Sequence, residues 1–264
     1  MLRSWRRLEI VSSFVYPQSS SLKHPRSEDK ADHRLLAHRL AFLTKFPVAV
    51  PNYRLTPVNP PGDDHLRHPS HAEDILQFLT FLITWEGPHA QLPLPYDPRK
   101  IYVIGHSCSA HMLSSIFLDT SPSTPSLTPP TPLFDAVQAV VMSEGIYDLD
   151  LLLSSFPGYL DFFVEATFGR RESYTEFSIT TSPLRTSKPQ MRWLVIHSKG
   201  DTLVDGLQSD AMYRHLCQLH ASQPKKLVFQ NVDQLYEEHN ALLRGELYVN
   251  IVGNFIVEDS VTGS

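Results

Sequence analysis

The run Ile101-Tyr-Val-Ile-Gly105-His106-Ser107-Cys108-Ser109-Ala110 joins an apolar, β-branched stretch to Gly-x-Ser and then to a helix-like stretch reaching Leu118. A serine at such a junction sits on a sharp turn at a helix N-terminus, with its hydroxyl above the sheet. That is a place for a nucleophile. Its neighbours must be small, because strand and helix approach closely there, and Gly105 meets that demand. Ser109, two residues after Ser107, stands where the usual pattern has glycine, so a strained turn is expected. An ordinary strand-to-helix loop with a capping serine is the plainer reading of the same residues.

A serine hydroxyl is a weak nucleophile until a base takes its proton and a carboxylate orients that base. Two downstream residues fit. Asp201 follows an apolar run in Trp193-Leu-Val-Ile-His197-Ser-Lys-Gly-Asp201, and His239 lies in Glu237-Glu-His-Asn240. The spacing leaves room for two strand-helix units before Asp201 and one before His239. Asp205 competes with Asp201. The plainer readings are a turn residue and a helix cap, but both would have to coincide with the serine motif. Cys108 offers its backbone N–H to an oxyanion, its thiol being a small apolar filler. Tyr147, Phe156, Tyr159, Phe162, Phe163 and Phe168 either wall a pocket for an aryl ring or pack a core. Tyr147, Tyr159 and Phe163 are the pocket candidates. His65, His68 and His71 recur every three residues, yet Pro69 interrupts any shared helical face and no carboxylate or Cys completes a ligand set. A loop entering a helix is expected there, not a metal site.

Strands and helices must position these residues. The pattern predicts strands in 46–53, 100–104, 136–142, 193–197 and 226–229, and helices over 32–43, 72–82 (with Ser70 as cap), 150–168 and 240–256. Residues 120–132 hold five prolines and read as a surface loop, because strand-helix alternation resumes at once. That alternation predicts an α/β fold, a mostly parallel sheet with helices on both faces. Ligands then sit at the carboxyl ends of the strands.

Composition narrows the function classes. The chain has 264 residues and a net charge of −5, with 42% hydrophobic residues. A sizeable core is expected in one domain spanning 1–264, and nucleic-acid binding is not. No run approaches a membrane span. Cys108 and Cys217 cannot build a disulfide framework, so a reducing, cytoplasmic setting is expected. Arg3, Arg6 and Arg7 among serines faintly resemble a transit peptide, against which Glu9 and the missing amphipathic run argue. Proline (21) outnumbers glycine (11), leaving few residues for tight turns.

Six segments carry a resemblance: VAVPNYRLTP (48–57), HPSHAEDIL (68–76), KIYVIGHSCSAHM (100–112), SEGIYDLDLLL (143–153), IHSKGDTLVDGLQSDAM (196–212) and EHNALL (238–243). The chain resembles the hormone-sensitive-lipase-like α/β hydrolases, and among them the fungal kynurenine formamidases. The resemblance implies an α/β-hydrolase fold and cleavage of N-formyl-L-kynurenine to L-kynurenine and formate, a step of tryptophan breakdown towards NAD. It implies Ser107 as nucleophile, Asp201 as orienter and His239 as base. No cofactor or metal is implied, and the partners are a small-molecule substrate and at most a second copy in a homodimer. One departure stands out. The family's His-Gly-Gly-x-Trp motif, whose N–H groups complete the oxyanion hole, is absent; the first glycine is Gly62, and His24-Pro25-Arg26 stands in its place. Residues 1–25 then read as a divergent N-terminus with the first strands missing or altered. Two other functions stay open: a small-ester carboxylesterase, and a weakened or non-catalytic member of the fold.

Overall fold

Runs of β-branched and aromatic residues supply six strands: β1 (Leu8–Phe14), β2 (Val48–Ala49), β3 (Ile101–Ser107), β4 (Val137–Ser143), β5 (Arg192–Ile196) and β6 (Val228–Asn231). The computed structural model describes residues 8–14, 29–56, 66–87, 93–185 and 191–262. The strands form one sheet in the order β2-β1-β3-β4-β5-β6, and every pairing is parallel. Such a sheet needs cover on both faces, and β3 is buried along its whole length. Alternation divides its side chains. Ile101 and Val103 join one core cluster, whereas Tyr102 and Ile104 join another.

The covering helices follow the same division. Helices α1 (Arg34–Thr44), α2 (Ser70–Thr84), α3 (Cys108–Phe117), α4 (Thr131–Ala136), α5 (Leu149–Ser155), α6 (Glu165–Phe168), α7 (Gly206–Leu219), α8 (Pro224–Leu227) and α9 (Glu246–Thr262) alternate with the strands. Leu36 and Leu40 of α1 pack with Tyr248 and Val252 of α9 over one face. Leu79 of α2, Leu113 of α3, Leu133 of α4 and Met212 of α7 cover the other.

Several boundaries differ from the sequence expectations. Leu8–Phe14 lies inside the sheet, pairing with β2 on one side and all along β3 on the other. These seven residues of the 1–25 segment are therefore a strand of the sheet. The 46–53 run pairs only at Val48–Ala49. Helix α2 begins at Ser70 itself, with Pro69 at the N-cap. The last helix starts at Glu246, because Gly245 separates it from a 3₁₀ turn at Ala241–Arg244. The proline-rich 120–132 segment is anchored: Leu127 is buried, and the Arg185 guanidinium donates to the carbonyls of Ile116 and Leu127.

Candidate active site

Strand register sets the site. His106 pairs with Ser143, and Ser143 pairs with Ile196. The next residues on these neighbouring strands are Ser107, Glu144 and His197, so three side chains emerge in a row at the carboxyl end of the sheet.

Ser107 has φ 56° and ψ −122°, a backbone state that an L-residue rarely adopts. The turn closes tightly. A Cβ on Gly105 would lie 2.8 Å from the Ser109 carbonyl carbon and oxygen, so only glycine fits there. The strain sits at Ser107; Ser109 is an ordinary buried residue of α3 without a positive φ. Ser107 is buried, and its Oγ has no hydrogen-bond partner among the described residues.

Asp201 and His239 meet because their loops are stitched together. The His197 N–H donates to the Asn231 carbonyl, the Lys199 N–H to the Leu235 carbonyl and the Ser198 hydroxyl to the Glu237 carbonyl. The Tyr236 carbonyl passes so close to Gly200 that a Cβ there would lie 2.1 Å from it. His239 Nδ1 then stands 2.7 Å from Asp201 Oδ2. Asp201 Oδ1 accepts the Leu203 and Val204 N–H groups at 2.7 and 3.1 Å. Burial opposes the Asp201 charge, but the His239 and Glu144 hydrogen bonds and the Leu203 amide outweigh it. Its carboxyl is held well below the usual carboxylate range. Asp205 instead occupies the N-cap of α7.

A neutral His239 that donates from Nδ1 presents a lone pair at Nε2. That atom is buried without a partner among the described residues. The His239 ring lies 4.7 Å from the ring of His106, centroid to centroid, beside the strand end that carries Ser107. The Ser107 hydroxyl and the His239 acceptor are thus both buried and unpaired among the described residues. Hydrogen bonds between a nucleophile and its base are often long in unliganded sites and tighten with substrate.

Next to the elbow lies a cavity of about 310 Å³. Its walls include Tyr53, Leu55 and Thr56 from the YRLT segment, Cys108 and Met112 from α3, and Phe162, Phe163 and Phe168. Tyr147 and Tyr159 are not among the lining residues. Tyr147 packs in the core, and the Tyr159 hydroxyl donates to the Leu203 carbonyl. The YRLT wall is held from outside by Asp74, which takes the Arg54 guanidinium and backbone N–H.

Three histidines that no active-site pattern signalled, His68, His71 and His111, also line the cavity. Burial pushes His71 and His111 down to about 4 and His68 well below its usual value, so all three are neutral. His111 Nδ1 lies 3.2 Å from the Ile146 carbonyl and must donate to it, leaving a buried Nε2 lone pair without a partner among the described residues. His65 and the His24-Pro25-Arg26 run lie outside the described residues. Glu144, also unsignalled, is wholly buried beside Asp201.

No family model matches the chain. In sequence it is similar to the kynurenine formamidase of Meyerozyma guilliermondii, 24% identical over 86% of this chain and 80% of that one. It is also similar to the kynurenine formamidase of Debaryomyces hansenii, 22% identical over 80% of this chain and 79% of that one. In structure it is similar to esterase B of Lactobacillus rhamnosis, with a TM-score of 0.66 at 12% identity, over 99% of this chain and 79% of that one. A match to a bifunctional GH43-CE protein of Bacteroides eggerthii, TM-score 0.64 at 16% identity, takes in 98% of this chain but 35% of that one. The fold is that of an α/β hydrolase. No helix among the described residues is long and apolar enough to cross a membrane.

Proposed function

We propose that this α/β hydrolase is a serine hydrolase that cleaves N-formyl-L-kynurenine to L-kynurenine and formate, in the cytoplasm. The observation that carries the reading is the 2.7 Å Asp201–His239 pair, set beside the Ser107 turn and next to an aromatic-walled cavity. His239 Nε2 takes the Ser107 proton as Oγ attacks the formyl carbon. The Cys108 N–H, first in α3, donates to the oxyanion. His239 returns the proton to the leaving arylamine, and water, activated by the same ring, releases formate from the formyl-serine. Asp201 keeps the ring in the Nδ1–H tautomer and stabilises the imidazolium.

The cavity suits an aryl substrate with N–H donors. Phe162, Phe163 and Phe168 supply apolar contact, His111 Nε2 accepts an N–H, and Asp161 adds a carboxylate for an ammonium group. The missing His-Gly-Gly motif lowers the expected rate. Loss of one oxyanion donor costs about 10²–10³-fold in kcat.

The test is turnover of N-formyl-L-kynurenine by the wild type and Ser107→Ala, alongside short aryl esters and a fluorophosphonate probe. Turnover of the formamide that vanishes with Ser107→Ala upholds the reading. Ester turnover without formamide turnover moves it to a carboxylesterase. Equal rates for both proteins, or no labelling of folded wild type, overturn it.

A further inference from the structure

Glu144 and His197 emerge side by side because their preceding residues, Ser143 and Ile196, are paired across β4 and β5. Glu144 Oε1 accepts the Ser198 N–H at 2.7 Å, and Oε2 lies 2.9 Å from His197 Nδ1. The same carboxyl adjoins the triad. One oxygen of Glu144, one oxygen of Asp201 and one ring nitrogen of His239 all lie within 4.8 Å of one another. Both carboxyl side chains are 0% exposed. Among the described residues, neither makes an ion pair with Lys or Arg.

Two carboxylates this close, away from water, cannot both be charged, so one keeps a proton. Asp201 has three N–H donors, from Leu203, Val204 and His239. Glu144 has one backbone N–H donor, to Oε1, and its Oε2 has no hydrogen-bond partner among the described residues. The nearby His197, which burial keeps neutral, has its Nδ1 3.3 Å from the Ser209 hydroxyl. The charge therefore belongs on Asp201 and the proton on Glu144. We infer that Glu144 is a positioning residue, a buried carboxylic acid whose O–H donates to Asp201 and so holds the carboxylate that orients His239. Burial first, then the hydrogen bond to Asp201 and its charge, push the Glu144 carboxyl up to about 11. Glu144 also has φ 50°. With Ser107 and the end of α1 at Lys45, it is one of three non-glycine residues in positive φ among those described. Strain of this kind persists where the surrounding structure demands one placement.

The inference rests on the serine-hydrolase reading. It adds a fourth member to the triad, one that works without charge. When His239 becomes imidazolium, Asp201 is already engaged by the Glu144 O–H, so the proton stays on the ring. The titratable groups around Glu144 are His197 and Asp201 from the loop after β5, His239 from the loop before α9, Tyr147 after β4 and Tyr248 on α9.

Glu144→Gln and Glu144→Leu separate the possibilities. Difference infrared spectra at pH 8 read the proton without any turnover. The wild type should show a carboxylic-acid C=O band that Glu144→Gln removes. The rate of Ser107 phosphonylation by a fluorophosphonate, followed against pH, reads the triad without the formamide. Glu144→Gln, which can still donate to Asp201, should keep the rate within about threefold and leave the acid limb in place. Glu144→Leu should lose about tenfold or more while remaining folded by circular dichroism. Absence of the band, or an acid limb about one unit lower in Glu144→Gln, overturns the inference by making Glu144 a charged partner of His197. A folded Glu144→Leu with the full wild-type rate overturns it as well. If the wild type is not labelled at all, the positioning role falls with the serine-hydrolase reading, and the infrared band alone decides where the proton lies.

Discussion

The two halves of the site are held by different forces. The half proposed to orient the base, formed by Asp201, His239 and Glu144, is wired. Each carboxyl oxygen of Asp201 has a named donor, and backbone hydrogen bonds tie its loop to the one carrying His239. The cavity half is packed. Its walls include aromatic rings and neutral histidines, and the lone pair of His111 Nε2 has no partner among the described residues. Ser107 stands between them, strained and without a hydrogen-bond partner among the described residues. Wired groups hold a geometry that chemistry needs to a fraction of an ångström. Packed walls choose a shape and tolerate change. Damage to the first half should therefore appear in kcat, and damage to the second in KM.

The largest effect belongs to the residue between the halves. Ser107→Ala should lower kcat by about 10⁴-fold or more, measured on any acyl substrate the wild type turns over. Ser107→Gly should be equally inactive yet more stable by about 1 kcal/mol in urea melts, since glycine tolerates φ 56° and the strain at this turn disappears. Equal stability of the two variants would show that the turn is not strained.

Asp201→Asn comes next. The amide can still accept the Leu203 N–H but offers N–H to His239 Nδ1, forcing the wrong tautomer. A fall in kcat of about 10⁴-fold with KM nearly unchanged is expected. Gly200→Ala acts on the same half through the backbone. Its Cβ meets the Tyr236 carbonyl and pushes the His239 loop away. About 10²-fold in kcat is expected, because a displacement of an ångström at a catalytic group is enough. Phe163→Leu tests the other half and should raise KM about tenfold while sparing kcat. A kcat loss as large as that of Gly200→Ala would break the distinction between wired and packed halves.

Sequence reading reached the two kinds of residue unequally. Ser107 and Asp201 sit just past apolar runs with glycine nearby, so strand ends and tight turns marked them. The β3, β4 and β5 runs were legible because parallel strands buried on both faces are continuous in hydrophobicity. β1 was not. Leu8–Phe14 contains Glu9, Ser12 and Ser13, and its arginine-rich flank reads like a leader; only its pairing with β3 shows it to be a strand. Glu144 left no local signal, because its role depends on a register between strands that are far apart in sequence. Tyr147 and Tyr159 were drawn from an aromatic-rich stretch whose residues divide between core and cavity, and spacing alone cannot say which ring faces which.

Stability against pH separates the two buried carboxyls. Asp201 is held below its ordinary value, so its stabilising contribution is complete above the unfolded value near 3.8 and is lost as pH falls from there. Glu144 runs the other way. The unfolded chain releases that proton near 4.5, whereas the folded protein keeps it up to about 11. Between those values the unfolded state binds fewer protons, so Glu144 lowers stability steadily as pH rises. A single group sets a ceiling of about 1.4 kcal/mol per pH unit on that slope. Glu144→Gln removes it. Melts of both proteins from pH 5 to 9 should diverge, with the variant gaining up to about 2–4 °C for each unit of pH. Groups remote from Glu144 are common to both proteins and cancel in the difference. Parallel curves across that range would mean that Glu144 is already ionised in the folded state, and that the orienting half carries two negative charges in place of one.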